Sequence, residues 1–411
     1  MIEGSVFFAA YGGGHVAALA PVIWQLNEAR HRTSVMGFTT ARDTLERAGI
    51  DAIGVADVLP LVPAFAHAPV IGAALAAGQG RHPLVSEAET NAYLGVGYIG
   101  LEQRHGAAEA ARIWARSGRQ AFQPTSFFED LFTRSRPLVV VATNSPRSER
   151  AALEAARNLG IPSLCVVDLY AAFEIEWCGA RGYASRVCVL NDEVRRRFIA
   201  QGSEPARVVA TGNPAFDRLG ELNYAGVRQR KRAQLGLAEA DRLILWISQV
   251  EPAEHPFSGA VGDPTLSERI DKHLAATYCD DPRVHLVMRL HPSEDRPPAV
   301  QGPRIRYGDR SEPLDELLCA SDCVLTCSST VGVEASLLGV PVIQMMDSIF
   351  SPDLPLQEMG MAVAVPSYRE VGPAIDEILS GPVRTGDPAA SAGVRFGAAQ
   401  RIVGEILSLT Q

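Results

Sequence analysis

Short apolar runs and amphipathic segments alternate along most of the chain. PLVVVAT (137–143) is such a run, and the segment that follows it, ERAALEAARNLG (149–160), has helical periodicity. A fully apolar run is typical of a strand buried on both faces, and its alternation with helices is typical of a parallel sheet. The pattern therefore predicts an α/β fold with doubly wound sheets.

The alternation stops and starts again in the middle of the chain. A charged stretch, RQRKRAQLGLAEADR (228–242), precedes the apolar run LILWI (243–247). We therefore predict two doubly wound domains, residues 1–218 and 219–390, and a last helix within 391–411 that could pack back on either domain, the first included. Ligands of open α/β sheets bind at the carboxyl ends of the strands, so the two sheets are expected to face each other across a cleft.

Composition narrows the range of functions. The formal net charge is −9, which disfavours nucleic acid as a partner. The chain shows no secretory signal, no apolar run long enough for a membrane span and no CxxC among its 7 cysteines, so a reduced cytoplasmic protein without a metal site is expected. The apolar stretch at 58–78 leaves peripheral contact with an inner membrane open, and the oligomeric state is not predicted.

A glycine-rich turn joins the first strand to the first helix. Gly12, Gly13 and Gly14 let the backbone approach an anionic group, but the second strand lacks the terminal acid that a dinucleotide site needs. His15 follows in the first helical turn, where the positive end of the helix dipole favours a neutral imidazole. It could accept a proton from a sugar hydroxyl, and a capping or packing role is the alternative. Asp168, at the end of the strand SLCVVD (163–168), is a second candidate base.

The second half has a His-Pro pair at a strand end. In RLHP (289–292), Pro292 ends the strand and fixes the backbone that carries His291. A histidine held in this way can donate a hydrogen bond to a phosphate oxygen. Arg289 could serve the same phosphate or form a structural ion pair.

Three consecutive hydroxyls follow the next apolar run. Ser328, Ser329 and Thr330 precede a helix that stops at Gly339. One hydroxyl caps a helix, so three at this end favour a phosphate site. Glu334 lies near enough to reach a ribose hydroxyl, or it complements the helix dipole.

Two further polar residues complete the predicted phosphate site. Ser248 and Gln249 follow the strand that opens the second half, where a plain turn is the alternative to phosphate binding. We expect RLHP and CSSTV (327–331) to lie on neighbouring strands and to form two sides of one pocket. The irregular, mostly helical region 79–135 is interpreted as an insertion that shapes a substrate pocket.

These motifs resemble GT-B glycosyltransferases, two-domain Rossmann-like enzymes. The similarity is greatest to the bacterial group with HP and SS(S/T) motifs, which includes capsule sialyltransferases, Kdo transferases and glycerophosphotransferases. The resemblance implies that the phosphate of a cytidine nucleotide is bound by His291, Ser328, Ser329 and Thr330. The GGGH turn is similar to the acceptor-side loop of lipid-intermediate GlcNAc transferases.

The resemblance implies an inverting, metal-independent transferase without a cofactor. The donor would be a CMP-sugar, such as a nonulosonate or Kdo, or a UDP-sugar, and the acceptor a glycan, lipid-linked or protein hydroxyl in bacterial surface glycan synthesis. The acidic pair of the sialyltransferases and the paired glutamates of many retaining enzymes are absent, so the base stays open between His15 and Asp168. A UDP-GlcNAc 2-epimerase of the same fold and a non-catalytic nucleotide-sugar-binding protein are the alternatives.

Overall fold

The computed structural model describes residues 2–77, 82–255, 258–309, 311–381 and 396–410. The chain divides into two units, of which unit 1 is Met1–Asp217 with Gly397–Gln411 and unit 2 is Arg218–Phe396. Each unit is a parallel sheet with helical crossovers, so the predicted doubly wound α/β class is confirmed. Among the described residues, no helix is both long and apolar enough to cross a membrane.

The described part of unit 1 forms a seven-stranded sheet. Its strands lie in the order β3-β2-β1-β4-β5-β6-β7, and all neighbouring pairs are parallel. The order reverses direction between β1 and β4, where open α/β sheets bind ligands. The strands are β1 (Val6–Tyr11), β2 (Thr33–Phe38), β3 (Ala52–Ile53), β4 (Val139–Thr143), β5 (Ser163–Val166), β6 (Arg186–Val189) and β7 (Val208–Ala210).

Helices cover this sheet, and several of them form an insertion between β3 and β4. Up to β7 the α-helices are α1 (Gly13–Glu28), α2 (Ala41–Arg47), α3 (Val55–Val58), α4 (Ala68–Ala76), α5 (Glu87–His105), α6 (Ala107–Ser117), α7 (Thr125–Ser135), α8 (Ser148–Asn158), α9 (Ile175–Cys178) and α10 (Asp192–Gln201). In the insertion, α4 and α5 pack backbone to backbone at two glycines. A Cβ on Gly95 would lie 1.8 Å from the Ala68 carbonyl oxygen, and one on Gly72 would lie 1.7 Å from that of Asn91. No larger residue fits either crossing.

Unit 2 contains a six-stranded parallel sheet within its described residues. Its elements are α11 (Tyr224–Gln234), β8 (Arg242–Ile247), α12 (Leu266–Tyr278), β9 (Val284–Arg289), β10 (Ile305–Tyr307), α13 (Leu314–Ala320), β11 (Cys323–Thr326), α14 (Val331–Leu337), β12 (Val342–Met345), β13 (Val363–Val365) and α15 (Val371–Ser380). The strand order is β10-β9-β8-β11-β12-β13. The prediction that RLHP and CSSTV lie on neighbouring strands is therefore wrong, because β8 lies between β9 and β11.

The last helix, α16 (Ala398–Ser408), belongs to unit 1, and residues 391–395 of the predicted helical segment lie outside the described residues. The Asp217 carboxylate accepts hydrogen bonds from the backbone N–H groups of 397, 398 and 399, which have no intrahelical partner. Ile402 and Ile406 are fully buried in the core beneath α1. Hydrogen bonds to the Asp217 carboxylate thus hold the first turn of α16, and apolar packing holds the rest of the helix.

A buried ionic cluster joins α11 to the sheet of unit 2. Asp322, directly before β11, accepts from Arg228 at 2.5 Å, from Arg232 at 3.0 Å and from the Leu243 N–H at 2.8 Å. The side chains of Asp322 and Arg228 are only 6% and 7% exposed. Both carboxylate oxygens of Asp322 accept hydrogen bonds, so the buried charges of the carboxylate and the two guanidinium groups compensate one another.

Candidate active site and phosphate-binding loops

The carboxyl ends of β1 and β4 bring together three polar side chains in unit 1. His15 lies in the first turn of α1, and its Nδ1 is 2.7 Å from the Thr143 hydroxyl at the end of β4. That hydroxyl donates to Glu149 Oε2 at 2.5 Å. His15, Thr143 and Glu149 therefore form a hydrogen-bonded relay at the switch point of the sheet, where the strand order reverses.

Glu149 is the fixed end of this relay. It is fully buried, and its two oxygens also accept the backbone N–H groups of Tyr11 at 2.6 Å and Thr143 at 2.7 Å. Burial raises the pKa of Glu149, whereas His15 and the Thr143 hydroxyl oppose that rise. The sequence interpretation missed Glu149 because the residue reads as part of the polar face of an amphipathic helix. Its place in the first turn after a strand ending in threonine was the available signal.

The relay determines which nitrogen of His15 can act on a substrate. When Glu149 is ionised it only accepts hydrogen bonds, so the Thr143 proton points to Glu149 and the Thr143 oxygen accepts from His15 Nδ1. Neutral His15 then carries its proton on Nδ1 and leaves Nε2 free to accept one. This is the arrangement a general base needs.

Asp168, the other candidate base, lies beyond β5 on the same edge of the sheet. Its N–H donates to Asn144 Oδ1 at 2.8 Å, and Asn213 Nδ2 donates to its carboxylate at 3.1 Å. Burial raises the pKa of Asp168, while His15 opposes that rise. Both candidate bases therefore lie at the same edge of the sheet, and Asn213 orients Asp168.

The raised pKa of Glu149 predicts a pH-dependent stability. The folded state holds the Glu149 proton above the ordinary value of 4.5, so ionisation at rising pH favours the unfolded chain. We expect the free energy of unfolding of wild type, measured relative to Glu149→Gln, to fall from about pH 4 upward until Glu149 is ionised in both states. Urea denaturation across pH measures this difference. A flat difference between wild type and Glu149→Gln across pH contradicts the assignment.

His291 lies exposed in the loop after β9. Its N–H donates to Glu294 Oε2 at 2.7 Å, and its Nδ1 accepts the Ser293 N–H at 3.1 Å. The bond from Ser293 orients the ring, whereas the bond to Glu294 and the neighbouring Pro292 fix the backbone that carries it. Because Nδ1 accepts, the proton of the neutral ring is on Nε2, which leaves a donor available for an anion.

The predicted hydroxyl cluster separates into three different environments. Ser328 Oγ donates to Gln249 Oε1 at 2.9 Å, so its proton is already used. Ser329 Oγ accepts the Val331 N–H at 3.2 Å and keeps its own proton. Thr330 is exposed, and its hydroxyl has no hydrogen-bond partner among the described residues. Ser329 and Thr330 therefore remain the hydroxyls able to donate to a ligand.

Ser248 and Gln249 connect the loops on either side of β8. Ser248 Oγ donates to Glu294 at 3.0 Å, on the His291 side, while Gln249 accepts from Ser328 and donates to Glu251 at 2.8 Å. Both residues are buried, at 1% and 8% exposure. Strand β8 lies between the strands that carry the two motifs. Ser248 and Gln249, which follow β8, bind the loop of His291 and the loop of Ser328 and so position both.

Arg289 and Glu334 also have partners within unit 2. Arg289 donates to the carbonyl oxygens of Asp309 and Glu312, and Glu334 forms an ion pair with Arg218. Burial raises the pKa of Glu334, and Arg218 opposes that rise. Their predicted contacts with phosphate and ribose require these partners to be released or shared.

Comparison with known proteins identifies the fold. No family model and no curated protein matches the chain. Among solved structures, UDP-GlcNAc 2-epimerase from Neisseria meningitidis bound to UDP-GlcNAc has a TM-score of 0.60 at 14% identity, over 98% of this chain and 99% of that one. A putative 2-epimerase from Listeria monocytogenes has a TM-score of 0.59 at 16% identity, over 99% and 96%. The calicheamicin glycosyltransferase CalG4 has a TM-score of 0.52 at 16% identity, over 100% and 96%.

These neighbours define a class of protein rather than a particular one. The chain has the GT-B fold that UDP-GlcNAc 2-epimerases and GT-B glycosyltransferases share. The epimerases among these neighbours have the higher TM-scores. The narrower resemblance to the HP and SS(S/T) enzymes stays a prediction.

Proposed function

We propose that the protein is an enzyme that acts on a nucleotide sugar and breaks the bond between the anomeric carbon and the nucleotide phosphate. The observation that carries this proposal is the His15–Thr143–Glu149 relay, which leaves Nε2 of His15 as a base at the switch point of unit 1. A purely structural histidine would not need a buried carboxylate to set its tautomer. Asp168 supplies a second acid–base group close by.

Unit 2 would hold the phosphate of the donor. His291 Nε2 and the hydroxyls of Ser329 and Thr330 are the donors left for an anion, and Ser248 and Gln249 hold their loops together. Fixed donors stabilise the charge that develops on a leaving phosphate. The donor base, whether cytidine or uridine, is left to experiment.

Replacing His291 by alanine is expected to weaken nucleotide binding. A hydrogen bond to a charged group contributes about 1.5–3 kcal/mol, so the Kd should rise by roughly 10- to 100-fold. Calorimetric titration of UDP, CDP and CMP measures the effect. The exposed His31, replaced in the same way, is the matched control, and an unchanged Kd for His291→Ala would remove His291 from the site.

One candidate activity is 2-epimerisation of a UDP-sugar, which the structural neighbours favour. In this reaction a base removes the proton from C2 while the C1–O bond breaks and UDP leaves. UDP then adds back as an acid returns a proton to the opposite face of C2. Such a reaction needs more than one acid–base group, and unit 1 offers His15 and Asp168 together.

The other candidate activity is transfer of the sugar with inversion. Here the oxygen of an acceptor hydroxyl would attack C1 of the sugar while His15 Nε2 takes the hydroxyl proton. The bond between C1 and the phosphate oxygen breaks, and the nucleotide leaves with its electrons. The observation that favours transfer is a cavity of about 730 Å³ in unit 1, beside the glycine-rich turn. A transferase must hold an acceptor as well as a donor, and this cavity offers room for one.

Incubation with UDP-GlcNAc in D₂O separates the two activities. An epimerase would yield the C2 epimer with deuterium at C2 and needs no acceptor, and proton NMR detects both changes. A transferase would leave C2 protonated and release nucleotide at an appreciable rate only with an acceptor. Binding of nucleotide sugars without either change would instead identify a non-catalytic binding protein.

A further inference from the structure

The cavity of unit 1 opens beside the glycine-rich turn that carries His15. Tyr11 and Gly12 form part of its wall, and Tyr93 on α5 lines it as well. Tyr11 and Tyr93 lie with ring centroids 6.1 Å apart. The cavity therefore offers aromatic surface to a ligand next to the candidate base.

The same wall carries two cations without carboxylate partners. Arg119 and Arg147 both line the cavity, and neither forms an ion pair among the described residues. The Arg147 guanidinium stacks over the Tyr11 ring at 4.2 Å and donates one hydrogen bond, from Nη1 to Gln120 Oε1 at 2.9 Å. Its Nε is buried without a partner. Unpaired buried donors are costly unless a ligand satisfies them.

The carboxylate on this wall does not neutralise these cations. Glu89 accepts the N–H groups of Val55 at 2.8 Å and Ala56 at 3.0 Å, so its oxygens are directed to the start of α3. Burial also raises the pKa of Glu89, which disfavours its charge. In a chain whose formal net charge is −9, the cavity is thus a local site of positive charge.

The backbone of Arg147 is held in a conformation that favours glycine. Its φ is 68° and its ψ is −119°, and Thr39, also on the cavity wall, has a φ of 55°. A side chain at such positions costs conformational free energy, and strained residues of this kind concentrate at ligand sites. The strained backbone therefore indicates that the side chain of Arg147 has a role that glycine could not fulfil.

We propose that this cavity binds the acceptor and that the acceptor carries an anionic group, a phosphate or a carboxylate, which contacts Arg147 and Arg119. This inference rests on the transferase form of the proposed function. The aromatic wall of Tyr11 and Tyr93 would hold an apolar or planar part of the acceptor, and Gly12 brings it to the turn before His15. Arg147 acts here as a binding residue that selects acceptors by charge.

Calorimetric titration with three small probes tests the charge selection. Phenyl phosphate and phenylacetate carry the two anionic groups, and 2-phenylethanol is their neutral counterpart. The wild-type protein should bind at least one anion, with at least tenfold lower affinity for the neutral probe. Arg147→Gly and Arg119→Ala should each weaken anion binding at least tenfold, while Arg116→Ala on the exposed face of α6 should leave it unchanged.

Glycine at position 147 separates a binding role from a structural one. Because glycine adopts a positive φ without strain, Arg147→Gly should keep the thermal transition and the nucleotide affinity of wild type while losing the anion. The inference is overturned if neither anion binds wild type at millimolar concentration, if the neutral probe binds equally well, or if Arg147→Gly binds the anion normally. A protein that binds UDP and turns over a nucleotide sugar but fails these tests keeps the proposed function and loses only the inference.

Discussion

Replacing His15 by alanine is expected to lower the turnover of the nucleotide sugar by about 100- to 10,000-fold, the usual contribution of a positioned general acid–base group. The variant removes the proton acceptor of the relay but leaves Thr143 and Glu149 in place. Nucleotide affinity should be unchanged because the proposed phosphate donors lie in unit 2. The measurement is kcat with the nucleotide sugar that the wild-type protein consumes, combined with calorimetric Kd for the nucleotide.

Two further variants show whether the rate depends on the whole relay or on His15 alone. Thr143→Val keeps the shape of the side chain but breaks the link between His15 and Glu149, so kcat should fall by less than in His15→Ala. His31→Ala removes an exposed histidine of the same unit and should change nothing. A His15→Ala variant with wild-type kcat would contradict the assignment of His15 as the base.

Replacing Asp322 by alanine is expected to lower the free energy of unfolding by about 3–5 kcal/mol, because it leaves two guanidinium groups buried without their counter-ion. Arg228 and Arg232 would lose their bonds to the carboxylate, and the Leu243 N–H would lose its acceptor. Denaturant unfolding of the variant measures the loss. Because Asp322 ties α11 to β8 and β11, nucleotide binding by unit 2 should weaken as well.

The control for this prediction is an exposed acid of the same unit. Asp280 is exposed at the end of α12, and Asp280→Ala should change the free energy of unfolding by less than about 0.5 kcal/mol. A small loss for Asp322→Ala, comparable to that of Asp280→Ala, would show that the cluster contributes little to stability.

The fold class was predictable because each strand of a buried parallel sheet leaves an uninterrupted apolar run. The runs at 139–142 and 243–247 are of this kind, and each lies within a strand. Strand order was not predictable in the same way. It depends on which side of the sheet each crossover takes, and this is why β8 was not placed between the His-Pro strand and the hydroxyl strand.

Candidate site residues could be proposed from local sequence, but their partners from other elements could not. His15 was proposed from its place in the first helical turn and Asp168 from its place at a strand end, and His15 affects the pKa of Asp168 in the structure. Glu149 was missed because its role depends on the approach of β1 to β4, and its place in the first turn after β4 was the local signal available for it. Ser248 and Gln249 were predicted to bind phosphate, but their side chains are engaged in holding neighbouring loops.

The proposed function requires that the protein cleave a nucleotide sugar with His15 as its acid–base group. The most direct test is to follow nucleotide release and C2 epimer formation by NMR for wild type and His15→Ala, with UDP-, CDP- and CMP-activated sugars, with and without an acceptor. Wild type is expected to consume at least one of these donors, and His15→Ala is expected to consume it at least about 100-fold more slowly. Equal rates for the two proteins, or no consumption of any donor by wild type, would rule out this function.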